Sequence, residues 1–236
     1  MIYIILCDII YMNLVNTTLI ISLFVQIVVF IVSIDGLQFK LDKKHLVLKE
    51  VFILETIVQV VEAVMYVWLI FAVKKFDTMV QRRYIDWMIT TPIMLINTIV
   101  FMEYVNSLNN NKIVTFTDFV KNNQTTIAII VICNALMLLF GYLGETKTID
   151  KYLSICIGFV WFFVVFYTIY DKYVRDRSMD SLTIYLFLFL FIVWGLYGVA
   201  AMFKPKLKNI CYNFLDIISK NFYGLYIYYK MIEVKE

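Results

Sequence analysis

The sequence is poor in the residues that break helices and in those that solvate a chain. Its 236 residues include two Pro, seven Gly and one His, and charged side chains make up 17%. Average soluble domains carry about 25% charged residues, and disordered or collagen-like chains are rich in Pro or Gly. Because 62% of the residues are hydrophobic, the composition instead predicts an integral membrane protein.

Cysteine and clustered basic charge are also scarce. The four Cys are spread along the chain without a CxxC spacing, so neither a disulfide framework nor a zinc site is indicated. The formal net charge is +3, and the lysines stand near the ends of apolar runs instead of in one block. We therefore expect no nucleic-acid partner, no metal site and no enzymatic activity.

Long apolar runs dominate the chain. Each approaches the length of about 20 residues that crosses the hydrocarbon core of a bilayer, and in order they are 13–34, 46–73, 83–105, 125–143, 152–170, 182–203 and 208–229. The sequence therefore predicts an all-α membrane protein, a seven-transmembrane-helix bundle that forms one domain over 1–236. Residues 1–12 are a short N-terminal extension in which Met12 offers an alternative start. The distribution of Lys and Arg favours an N-terminus outside and a C-terminus in the cytoplasm.

The seventh run carries two charges at its centre. Asp216 and Lys220 are four residues apart, so they share one side of a helix. A charged side chain at the middle of a membrane helix costs at least about 2.5 to 3.5 kcal/mol, which makes the pair a functional-site hypothesis. A lysine in an apolar setting can form a Schiff base with a carbonyl compound. A structural ion pair is the alternative.

The second run carries a polar stripe, because Glu55, Gln59 and Glu62 follow the helical spacing i, i+4, i+7. Buried acids need water, a cation or a base nearby, and rings of acids select cations in channels. A pair of protonated, hydrogen-bonded acids is the alternative. On the first run, Ser22 belongs to a stripe with Thr18 and Gln26, which should face protein or water.

The third run has a stripe of the same kind, formed by Arg83, Asp86, Thr90 and Asn97. Two cations and two anions would then lie in the membrane interior, counting Asp216 and Lys220. These charges balance only if the third and seventh helices are neighbours.

These residues resemble those of microbial, retinal-binding rhodopsins. The family's third-helix pattern is matched by Arg83, Tyr84, Asp86, Trp87, Thr90, Thr91 and Pro92, and its seventh-helix pattern by Asp216 with Lys220. The resemblance covers nearly the whole chain and implies the microbial rhodopsin fold. It also implies all-trans retinal attached covalently to Lys220 as a Schiff base, Asp86 and Asp216 as counterions, and Arg83 and Thr90 as residues that tune them.

The resemblance further implies a set of residues around retinal. They are Trp87, Thr91, Met94, Met137, Gly141, Gly158, Phe162, Trp194 and Tyr197. Gly198 and Ala201 depart from the Pro and the second Trp that are usual in the family, which predicts a looser pocket there. Asn134 stands at a polar family position on the fourth helix, where a hydrogen bond to Thr90 is open to it.

Three features resemble channelrhodopsins more than proton pumps. The glutamates Glu55 and Glu62 are seven residues apart, Asn221 directly follows the lysine, and Ser22 is the candidate for the serine of a central gate. In addition, Asn97 stands where a proton pump of this family has a carboxylic donor. With Gln59, the residues Ser22, Glu55, Glu62 and Asn221 form the predicted ion pathway.

The sequence therefore predicts a light-gated channel for monovalent cations, most like the light-gated cation-channel group of giant-virus rhodopsins. The alternatives are an outward proton pump with Asp86 as the proton acceptor and a photosensory receptor. We expect the lipid bilayer as the surroundings, monovalent cations or protons as the transported species, and a homo-oligomer as in other members of the family.

Overall fold

The computed structural model describes residues 2–72, 75–175 and 181–235, and side chains are described from residue 13 onward, except that of Ala72. Residue 73, where the second predicted helix ends, and the side chains of the predicted extension 1–12 lie outside this part of the chain.

The described chain is helical throughout, apart from loops and one isolated bridge between Leu41 and Lys235. The elements in order are α1 (Ile2–Leu37), a short 3-10 helix (Lys43–His45), α2 (Leu46–Ala72), α3 (Phe76–Asn109), α4 (Phe116–Asn122), α5 (Gln124–Glu145), α6 (Lys151–Tyr173), α7 (Ser181–Ala201), α8 (Pro205–Asp216), a π-helix (Ile217–Phe222) and α9 (Tyr223–Val234). Six of them, α1, α2, α3, α5, α6 and α7, are long and apolar enough to cross a membrane. The last three elements follow without a break and form a seventh rod, here called the seventh span (205–234). The predicted all-α seven-helix fold is confirmed.

The helix ends differ most from the sequence prediction at the starts of α1 and α3. Helix α1 begins at Ile2 instead of residue 13, so the predicted extension 1–12 belongs to the helix from residue 2 onward. The third helix begins at Phe76 instead of residue 83, and its first turns are polar. These turns are anchored by Arg82, whose guanidinium carbon lies 4.2 Å from the centre of the Trp68 ring. The long connection 106–124 contains α4, where the Thr115 side chain accepts a hydrogen bond from the Asp118 backbone N–H and caps the helix.

The polar stripes of α1, α2 and α3 face the bundle interior, where the seventh span packs against all three helices and against α7. On the opposite faces large apolar side chains point outward, and Phe24, Val64 and Phe71 are 66%, 65% and 80% exposed. Apolar groups on the outside and polar groups on the inside suit a bundle surrounded by lipid. The stripe of Thr18, Ser22 and Gln26 therefore faces protein, as expected.

Candidate functional site

The interior of the bundle is organised around Lys220, which is 2% exposed. Its Nζ atom lies 2.7 Å from Asp86 Oδ2 on α3, 3.5 Å from Glu62 Oε1 on α2 and 3.7 Å from Asp216 Oδ1 at the end of α8. An ion pair at about 4 Å contributes about 4 kcal/mol at an effective dielectric constant near 20, which helps to offset the burial of the charge. The third and seventh helices are therefore neighbours, as the charge balance required.

Lys220 lies closer to the carboxylate on α3 than to the carboxylate on its own span. Lys220 lies within Ile217–Phe222, where the chain forms wider turns than an α-helix. Its amine donates a hydrogen bond to Asp86, whereas the distance to Asp216 is too long for one. The side chain thus points across to α3 instead of only along its own helix.

Asp216 is held by donors from three other helices. Its Oδ2 accepts hydrogen bonds from Tyr66 Oη at 2.7 Å and from Arg83 Nη1 at 2.8 Å, and its Oδ1 accepts from Tyr197 Oη at 2.6 Å. Charge-assisted hydrogen bonds of this kind favour the ionised carboxylate. Arg83 also donates to Asn213 Oδ1.

Asp86 is less constrained than Asp216. Its Oδ1 atom has no hydrogen-bond partner in the described part of the chain, and its Oδ2 meets only the lysine amine. The Thr90 hydroxyl donates to the backbone carbonyl of Asp86 at 2.9 Å and does not bond its carboxyl group. Arg83 forms its ion pair with Asp216 instead of Asp86. Thr90 and Arg83, which were predicted to tune the counterions, therefore form no hydrogen bond or ion pair with the Asp86 carboxyl group.

The Lys220 amine opens into an apolar cavity between α3, α5, α6, α7 and the seventh span. All nine residues of the predicted retinal pocket line it: Trp87, Thr91, Met94, Met137, Gly141, Gly158, Phe162, Trp194 and Tyr197. An apolar cavity with aromatic walls and one amine among its lining groups fits a long apolar aldehyde such as retinal. That retinal binds there through these residues remains a prediction.

Sequence reasoning missed other residues of the same wall, including Tyr84 and Tyr212. The Tyr212 ring stacks on Tyr197 with centroids 5.6 Å apart and meets Trp87 edge-on at 5.0 Å. Tyr212 is four residues before Asp216, so the helical spacing of the seventh run could have identified it. Tyr84 explains the glycine at 141, because a Cβ atom there would lie 3.1 Å from its Cε1 atom.

Two expectations about the pocket are wrong. The region near Gly198 is not looser, because the Phe159 ring fills the space and a Cβ on Gly198 would lie 2.9 Å from its Cε2 atom. The Asn134 amide donates to Thr91 Oγ1 at 2.8 Å and not to Thr90. Adjacent residues point about 100° apart on a helix, so only one of the two threonines can face α5.

The predicted ion-pathway residues fall at four levels of the bundle. Glu62 and Asn221 lie beside Lys220, Gln59 lies one turn further along α2, and Glu55 accepts a hydrogen bond from Asn97 at 3.3 Å. Ser22 lies apart from them, because its hydroxyl donates to the Asn213 backbone carbonyl at 3.0 Å. Asn213 precedes Asn221 by eight residues, about 12 Å along a helix. Ser22 and Asn221 thus do not form one gate, contrary to expectation.

The comparisons with known proteins agree with this architecture. The crystal structure of viral rhodopsin OLPVRII matches with a TM-score of 0.80 at 26% identity, covering 94% of this chain and 99% of that chain. The light-driven proton pump CsR of Coccomyxa subellipsoidea matches with a TM-score of 0.70 at 16% identity, covering 92% and 96%. Halorhodopsin from Halobacterium salinarum in its bromide-bound form matches with a TM-score of 0.73 at 10% identity, covering 96% and 97%. At the identities of the last two, the likeness shows the fold alone.

A search among curated proteins finds no match. The family model described as bacteriorhodopsin-like protein, in contrast, matches residues 11–234. This match covers nearly the whole bundle, including every residue that surrounds Lys220. The chain therefore belongs to the bacteriorhodopsin-like family of microbial rhodopsins, integral membrane proteins that typically bind retinal.

Proposed function

We propose that this protein is a light-gated cation channel, a single seven-helix domain that carries retinal on Lys220. When bound, retinal would absorb light and change its shape in response. The N-terminus lies outside and the C-terminus in the cytoplasm, as the distribution of Lys and Arg favours. The 26% identity with a viral rhodopsin over 94% of the chain supports a place among viral members of the family.

The two aspartates take different roles at the Lys220 nitrogen. Asp86 is the proton acceptor, because its Oδ2 is 2.7 Å from Nζ and its carboxyl group has no other donor among the described residues. Asp216 is the fixed counter-charge, because three donors on other helices already occupy its oxygens. A carboxylate with satisfied oxygens gains less from a proton than one with a free oxygen.

The observation that carries the channel proposal is a series of buried polar atoms without hydrogen-bond partners. In the described chain they include both carboxyl oxygens of Glu62, both amide atoms of Asn221 and of Gln26, one oxygen of Glu55 and the Asn97 oxygen. Leaving a buried donor or acceptor unsatisfied costs about 1 to 3 kcal/mol. So many such atoms on facing helices favour a path that water and ions share.

The charges along this path favour cations. Around Lys220 the carboxyl groups of Glu62, Asp86 and Asp216 meet the cationic groups of Lys220 and Arg83. Three acids against two bases leave an excess of acid, and Glu55 adds a further carboxyl group in the same bundle interior. Acidic side chains that line a path attract cations and exclude anions.

Photocurrent measured against voltage in a cell membrane tests the proposal. For a channel, the current reverses its sign near the equilibrium potential of the permeant cations. The Lys220→Ala variant is the control and should give no photocurrent, because it cannot carry the chromophore. A current that stays outward at every voltage would overturn the channel and support a pump.

An outward proton pump is a second candidate, and one observation favours it. Asn97 occupies the place of the usual proton donor, but the Glu55 carboxyl accepts its amide hydrogen bond at 3.3 Å. An acid is therefore present at this level, contributed by α2 instead of α3. In a pump, Glu55→Gln should slow the return of the dark state many-fold. In a channel, it should alter which cations pass while the current still reverses.

A further inference from the structure

Gln59 fills the space between three helices. It lies on α2 between Glu55 and Glu62 and is fully buried. From α1, the Ser33 hydroxyl donates a hydrogen bond to Gln59 Oε1 at 2.8 Å. From α9, the backbone of Gly224 approaches so closely that an added Cβ would overlap the amide nitrogen and lie 3.3 Å from Gln59 Cδ. The side chain therefore bridges α1, α2 and α9 at one level of the bundle.

This level separates two groups of unsatisfied polar atoms. One turn toward Lys220 are Glu62 and Asn221, and one turn the other way are Glu55 and Asn97. Both groups contain buried oxygen or nitrogen atoms without partners in the described chain. A hydrated path that joins them has to pass the Gln59 side chain.

The contact that holds Gln59 in place can be given up at small cost. Ser33 has one hydroxyl proton and two acceptors, because the Val29 backbone carbonyl lies 2.9 Å from its Oγ atom. If Gln59 leaves, Ser33 keeps a hydrogen bond within its own helix. The Gln59 amide nitrogen has no partner among the described residues, so it gains one when it meets water.

Gly224 connects this contact to the light-sensitive end of the path. It lies four residues after Lys220 on the same continuous span, so the two residues are one helical turn apart on the same side. A shift of the span at Lys220 therefore also moves the backbone against which the Gln59 amide rests.

We propose that Gln59 is a latch that closes the path at rest and opens when its amide leaves Ser33 and Gly224. The passage of ions through the open latch rests on the proposed channel function. The barrier itself does not, because it can be measured as the access of a small reagent to Lys220 in the dark.

The test is the rate at which hydroxylamine bleaches the visible chromophore in darkness. Gln59→Ala should raise this rate about three- to tenfold, as expected for the loss of about one hydrogen bond together with the space it held closed. Ser33→Ala should raise it less, because only the hydrogen bond is lost. Gln38→Ala, the same change at an exposed glutamine, should leave the rate unchanged.

Gly224→Ala gives a sharper test. Its effect on the bleaching rate should have opposite signs in the wild-type chain and in the Gln59→Ala chain. In the wild-type chain the added methyl group displaces the Gln59 amide and raises the bleaching rate. In the Gln59→Ala chain the methyl group fills the space and lowers the rate. Gly195→Ala is the matched control, since a Cβ there meets Phe162 Cζ at an ordinary 3.8 Å. The midpoints of thermal unfolding of the retinal-free variants should show the same reversal.

The outcomes separate the latch from the channel. If the wild type passes no reversing photocurrent but the bleaching rates follow this pattern, the channel fails and the barrier at Gln59 stands. If the wild type conducts and Gln59→Ala leaves the bleaching rate unchanged, the latch is overturned. Should Gly224→Ala alone fail to fold while Gly224→Ala on Gln59→Ala folds, the steric contact with Gln59 is supported by that rescue.

Discussion

The ion pair between Arg83 and Asp216 should dominate the stability of the bundle interior, and Asp216→Asn tests this. The change keeps the shape of the side chain but removes a charge whose pair is 1% and 0% exposed. Breaking one side of a buried pair costs about 3 to 5 kcal/mol, because the remaining charge stays buried. With about 2 to 4 °C per kcal/mol for a chain of this size, the unfolding midpoint should fall on the order of 10 °C.

The chain contains a matched control for this substitution. Arg175 and Asp171 form an exposed pair at 3.1 Å, with side chains 59% and 35% exposed. Exposed pairs four residues apart on a helix contribute about 0.3 to 0.5 kcal/mol, so Asp171→Asn should barely move the midpoint. Circular dichroism of the retinal-free proteins in detergent keeps the chromophore out of the comparison. Equal shifts for Asp216→Asn and Asp171→Asn would refute the reasoning.

Three further predictions have distinct expected outcomes. Lys220→Ala should abolish visible absorption with added retinal while the helical circular dichroism persists, and a coloured variant would contradict attachment at this residue. Glu62→Gln should change the permeability of cations relative to protons, measured from reversal potentials at two pH values, and an unchanged ratio would remove Glu62 from the path. Thr91→Val should lower the unfolding midpoint more than Thr90→Val, because it leaves the buried Asn134 amide without its acceptor at a cost of about 1 to 3 kcal/mol. Equal effects of the two substitutions would show that the Asn134 contact is unimportant.

Helical periodicity and the cost of buried charge were enough to predict the bundle and the centre of the site. Asp86 and Lys220 each lie in an apolar run, and such a charge is retained only where a partner offsets its burial. The nine predicted pocket residues line one cavity because the resemblance places each on a helix face whose direction is fixed by spacing.

Contacts between helices could not be predicted in the same way. Spacing puts Glu55 and Glu62 on one face, but it does not say that Glu62 lies at the depth of Lys220, 3.5 Å from its amine. Lys220 lies in the π-helix Ile217–Phe222, and the sequence carries no periodic signal of these wider turns. The depth of Ser22 likewise depends on the position of α1 along the seventh span. In the fold this position puts the Ser22 hydroxyl beside the Asn213 backbone carbonyl.

The seven residues added at the start of α3 have a different cause. The turns from Phe76 onward carry polar and charged side chains, which resemble a loop when only hydropathy is considered. In the fold the Arg82 guanidinium lies over the Trp68 ring. This contact stabilises a charged residue in the part of the helix that continues beyond the apolar region.

The most direct measurement of cation conduction is the shift of the photocurrent reversal potential when external Na⁺ is reduced tenfold at constant pH. A channel selective for Na⁺ should shift its reversal potential by about 59 mV per tenfold change in the concentration of a monovalent ion, and permeability to other cations makes the shift smaller. A photocurrent that reverses and follows the Na⁺ gradient is the expected result. An outward photocurrent that never reverses and ignores the Na⁺ gradient would contradict the channel.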